Sequence, residues 1–185
     1  MDFATLIQNS KSGRNALNGF NRMQLSPKNL PSANSLDNAQ SKEDKVYKRM
    51  ASTILRLADA EWWENAPRSN EFDTIVGFAK LCKDNDIQIS VLSSPFEEKS
   101  IEGKLAWCKK HLEPLCIFSH FHIRRDKDTF ASSNSVLLDD RQKVCSNFTE
   151  ANGHSVLFDN LWVENALSII ANNAITNLFI DLDGV

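Results

Sequence analysis

From residue 71 onward, short apolar runs alternate with segments whose apolar residues recur at helical spacing. That alternation restricts the fold more than any other feature of the chain. The runs at 87–92, 115–118, 135–138 and 155–158, and the last at Leu178, Phe179 and Ile180, read as strands. Helices are expected at 71–83, with Phe72, Ile75, Val76 and Ala79 on the inner face, at 101–111, from Gln142, and at 162–171. Strands separated by helices need crossover connections, and these are right-handed when the strands are parallel. The expected fold class is therefore α/β, a Rossmann-like parallel sheet of about five strands with helices on both faces.

Residues 1–41 differ from the rest. They are rich in Asn, Ser, Lys and Gly, with Pro27 and Pro31 late in the segment. Such a stretch buries too little surface to offset its ordering entropy. It reads as a flexible N-terminal arm ahead of an α/β domain at 42–185. The apolar residues Phe3, Leu6, Ile7, Phe20 and Met23 offer an arm of this kind a protein partner. A helix is expected at 41–63, with Ser41 as its cap and Glu43 and Asp44 in its first turn.

Bulk properties exclude several classes. A net charge of −3 gives no general attraction to nucleic acid. No apolar run is long enough to span a membrane. The four cysteines form no Cys-x-x-Cys pair, so they read as free thiols of a reducing, cytoplasmic compartment. Asn147-Phe148-Thr149 matches a glycosylation acceptor by chance. His120 and His122 alternate as on an edge strand; with no third ligand nearby in sequence, they read as surface or packing histidines.

In open parallel sheets, function gathers at the carboxyl ends of the strands. Four polar clusters fall at or after such ends: Ser93 and Ser94, Lys127, Asp139 and Asp140, and Asp181 with Asp183. Asp181 and Asp183 lie one residue apart on extended backbone, so both point to one side. They repel each other unless a positive group lies between them, and a hard divalent cation with oxygen ligands such as magnesium fits. The alternative is a strand that runs into an acidic turn, since Asp-Gly is also a common turn pair. For Lys127 the alternative is a solvated loop charge.

The clusters resemble the four motifs of the haloacid dehalogenase-like phosphohydrolase superfamily, with the nearest likeness to its deoxyribonucleotidase branch. LFIDLDGV resembles the first motif, ISVLSSP the second, RRDKDTFA the third and VLLDDR the fourth. AEWWENAPRSNEFDTIVGFAKL also looks like the segment that precedes the second motif in these nucleotidases. The likeness covers about residues 60–185. The aspartate motif opens the chain in the family and closes it here, so the resemblance implies a circular permutation. It implies a strand order of 4-3-5-1-2 in this chain's own numbering, with the terminal strand between those ending at Leu138 and Leu92.

The resemblance also implies a chemistry. Asp181 would be the nucleophile that forms an aspartyl-phosphate, and Asp183 the acid and base. Ser93, with Ser94 beside it, would bind the phosphoryl group of a small phosphorylated substrate. Lys127 would stabilise charge in the transition state. Magnesium would be held by Asp181, the backbone carbonyl of Asp183, and Asp139 or Asp140. The family's flap and cap after the first motif have no counterpart in the sequence. That leaves a substitute within 42–70, an open site, or a piece of a longer product. Three functions follow: a magnesium-dependent phosphatase, plausible as a nucleotidase; a module without turnover that binds a partner through its arm; and, with least support, a phosphoryl carrier or transferase.

Overall fold

In the computed structural model, the described residues are Leu55, 58–69 and 71–182. The expected arm, the Ser41 cap and Asp183 lie outside them. The described residues fall into two compact units. One holds those up to Ala66 together with Phe96–Lys104; the other holds those in Pro67–Pro95 and from Leu105 onward.

The first unit contains helix α1 (Ala60–Glu64). The single helix expected at 41–63 is interrupted, because Ala58 and Asp59 are not helical. Asp59 has extended backbone, and its carboxylate accepts a hydrogen bond from the Trp62 N–H at 2.9 Å. A short side chain that satisfies an otherwise unpaired helix-start N–H is stabilising at a cap and wasted in a helix interior. Gly103 lies close under α1: a Cβ there would come within 2.3 Å of the Ala60 carbonyl oxygen. The Lys104 ammonium sits 5.0 Å from the Trp63 ring centroid.

The second unit is the α/β domain. Its helices are α2 (Phe72–Lys83), the later part of α3 (Glu98–His111), α4 (Gln142–Glu150) and α5 (Trp162–Asn172). Its strands are β1 (Gln88–Ser93), β2 (Phe118–Ile123), β3 (Ser135–Asp139), β4 (His154–Leu157) and β5 (Asn177–Ile180). All pairings are parallel, and the order is β2-β1-β5-β3-β4. The last strand thus occupies the centre, between β1 and β3.

Side chains of a strand alternate between faces, and the two cores divide accordingly. Ile89, Val136, Leu138, Leu178 and Ile180 pack with Ile75, Phe78 and Ala79 of α2 and with Trp162 and Ala166 of α5. Leu92, Leu137 and Phe179 form the other core with Phe148 of α4. Every residue of β3 is buried. That explains its unbroken apolar run, whereas β2 at one edge is half-exposed and mixed in character.

The strand expected at 115–118 begins later than the sequence suggests. Glu113–Leu115 forms a 3-10 turn with Pro114 inside it, and Cys116 has φ 53°. Neither suits a strand. The β2 strand starts at Phe118 and takes in His120 and His122, whose rings stack at 5.7 Å.

Candidate functional site

The site is built by register. Ile180 pairs with Val91 on one side and Leu138 on the other. Asp181 is the next residue, and its N–H donates to the Leu138 carbonyl at 2.8 Å. Its carboxylate therefore emerges at the carboxyl edge of the sheet, level with Asp139 at the end of β3. Ser93 closes β1 at the same edge and is buried, with its backbone carbonyl accepting from the Arg124 N–H at 2.8 Å.

Lys127 comes from the 3-10 turn Lys127–Phe130 that follows β2. It is not a solvated loop charge: its side chain is 2% exposed. The ammonium lies 2.6 Å from Asp139 Oδ2 and 2.8 Å from Asp181 Oδ2. One cation thus ties the turn after β2 to the end of β3 and to the residue after β5. Asp139 Oδ1 also accepts from the Arg141 N–H at 2.9 Å. Burial pushes the Asp181 pKa up, the charge of Lys127 opposes that shift, and Asp139 adds to it.

The sequence reading assigned no role to Arg141. Its Nη2 donates to Ser94 Oγ at 2.8 Å and lies 3.9 Å from Asp181, while Nε lies 3.6 Å from Asp139 and 3.9 Å from Asp140. Its place directly after Asp139-Asp140 was the available signal. Position in a sequence does not reveal that a long side chain folds back over its neighbours.

Ser93, Ser94, Lys127, Asp139, Asp140 and Asp181 thus gather at one edge of the sheet, as the strand-end clusters suggested. Asp183 is outside the described residues. His120 and His122 stand apart: among the described residues, the acidic group is the only metal-ligand cluster of three or more. No helix among the described residues is long and apolar enough to cross a membrane.

Asp139, Asp140 and Asp181 each offer a carboxylate oxygen, all within 4.8 Å of one another. An all-oxygen donor set suits a hard cation such as magnesium. Among the described residues, two cations lie close to these carboxylates, Lys127 and Arg141. Comparison of the chain with family models, curated proteins and solved structures finds no match.

Proposed function

We propose that this chain is a magnesium-dependent phosphohydrolase with a circularly permuted haloacid dehalogenase-like topology. Its substrate would be a small phosphate ester, such as a nucleotide. The observation that carries this reading is the position of Lys127, between Asp139 and Asp181 at the carboxyl edge of the sheet. The central place of β5 supports it as well.

In this mechanism a carboxylate oxygen of Asp181 attacks phosphorus, and the ester P–O bond breaks. Asp183 gives a proton to the leaving oxygen. A water then attacks the aspartyl-phosphate and yields its proton to Asp183, which releases phosphate and restores Asp181. Lys127 stabilises the charge that develops on the transferring group, and Ser93 and Ser94 donate hydrogen bonds to its oxygens. Held by Asp181, the Asp183 carbonyl and Asp139 or Asp140, magnesium would neutralise phosphate charge.

The test uses the purified 185-residue chain with magnesium and a panel of phosphate esters. Beryllium fluoride, which mimics an aspartyl-phosphate, should raise the melting temperature of the parent but not of Asp181→Asn. Ester hydrolysis that persists unchanged in Asp181→Asn would rule the mechanism out.

Burial favours a second reading. Asp181 is 1% exposed and closed in by Lys127 and Arg141. A buried charge network can also serve to fix a fold. The chain would then be a phosphatase-like module without turnover, bound to a protein partner through residues 1–41. Absence of both hydrolysis and fluoride binding would select it.

A further inference from the structure

Among the described residues, Lys127 and Arg141 lie beside the carboxylate cluster, and they differ in access. The Lys127 side chain is 2% exposed and held between Asp139 and Asp181. The Arg141 side chain is 36% exposed. Its start is anchored where its own N–H meets Asp139 Oδ1 at 2.9 Å. Its far end reaches Ser94 Oγ at 2.8 Å, so the guanidinium extends from the loop after β3 to the loop after β1. The strand between them, β5, carries Asp181, whose Oδ2 is 3.9 Å from Nη2.

We infer that Arg141 is the anion-binding residue of this site, the group that grips the terminal phosphate of the substrate and holds it against Asp181. The inference rests on the phosphohydrolase reading and names the substrate's recognised end, a phosphate monoester dianion. Beside the magnesium of the proposed mechanism, a dianion that approaches three carboxylates needs a positive side chain to meet it on the solvent side. Lys127 lies too deep to do so, whereas Arg141 stands on the solvent side. Its planar fork of N–H donors matches two phosphate oxygens at once, which an ammonium cannot do. Ser94, already bonded to the same guanidinium, sets the orientation of the fork and adds a hydroxyl to the same anion.

The experiment measures inorganic phosphate and magnesium binding separately by calorimetry on the full chain, for the parent, Arg141→Ala and Arg141→Lys. Phosphate is titrated in the presence of magnesium. Arg141→Ala should weaken phosphate binding by about tenfold or more, the loss of a charge-assisted hydrogen-bond pair. Arg141→Lys should recover only part of it. Magnesium binding should stay equal or tighten in Arg141→Ala, because a cation next to the carboxylates has been removed. A merely structural arginine would weaken both ligands together, and that result overturns the inference. So does phosphate affinity unchanged in Arg141→Ala, or a parent that binds no phosphate. The phosphohydrolase reading fails on a different measurement, the dependence of hydrolysis and fluoride binding on Asp181.

Discussion

Lys127 is a buried cation held between two buried carboxylates. Fully desolvated charges are tolerated only when paired, and removal of one partner leaves the others buried and uncompensated. Lys127→Met should therefore cost about 3–5 kcal/mol of stability, read from urea unfolding. Asp181→Asn in the same chain should return part of that loss, since it removes one of the two buried carboxylates that the ammonium bridges. If Lys127→Met unfolds at the parent's midpoint, the ammonium is not seated between the two carboxylates. Asp181 also makes a pH prediction. Its folded pKa is raised mainly by burial, so the native state binds its proton more tightly than the unfolded chain does. Stability is then fully present below the ordinary value of 3.8, and it declines as pH rises toward the folded value. Asp181→Asn lacks that decline. The melting-temperature difference, variant minus parent, should grow as pH rises from below 3.8. A difference that is flat or shrinks with pH would contradict the direction assigned here. Taken locally, Arg124-Arg125-Asp126-Lys127-Asp128 reads as an exposed charged segment, and Lys127 stands out in it only by its place after a strand and by the resemblance. Only the strand ends it meets, far away in sequence, determine that Lys127 is buried and its neighbours are not.

At the scale of elements, the sequence was most informative where burial is complete. Residues 135–138 and 178–180 read directly as strands because both faces of β3 and β5 pack against apolar cores. At the edge the signal weakened: Leu115 and Cys116 are apolar, yet both are exposed and outside β2. Local stereochemistry, Pro114 and the positive φ of Cys116, overrode hydropathy there. Gly153, just before β4, sits where the packing admits no side chain. A Cβ on Gly153 would lie 2.3 Å from one atom of the Phe148 ring and 3.1 Å from the Ala131 Cβ. Phe148 is fully buried in the core shared with Leu92, Leu137 and Phe179, so the ring has little room to give. Gly153→Ala should destabilise by about 1–3 kcal/mol through overpacking. The denaturation midpoint checks this, and Phe148→Leu in the same chain should relieve part of the loss. A neutral Gly153→Ala would mean that α4 and β4 move apart more easily than a close-packed interior allows.

For the whole molecule, the cysteines report how the described fold shields its interior. Cys82, Cys108 and Cys145 are buried, while Cys116 is exposed. Burial pushes Cys82 up to about 11 and Cys145 likewise to about 11, the latter with a contribution from the nearby Asp139 charge. A thiol reacts as its thiolate, so both are inert at neutral pH while the fold is closed. Each reports on a different part of the α/β unit. Cys82 packs in the core with Ile75 and Ile89 on one face of the sheet. Cys145 donates weakly to the carbonyls of Asp139 and Val156, both at 3.7 Å, behind the carboxylate cluster. In native buffer, a thiol reagent should therefore modify Cys116 promptly and the remaining three only slowly. Cys116→Ser should abolish the prompt phase alone. The slow phase should accelerate with sub-denaturing urea, because it follows the population of opened chains. If Lys127→Met loosens the cluster as argued, Cys145 should become reactive in that variant before Cys82 does, since only Cys145 adjoins Asp139. Equal acceleration of the two would show that the variant lowers global stability without opening the site edge first. A second prompt thiol in the parent would show that the sheet is less closed than described.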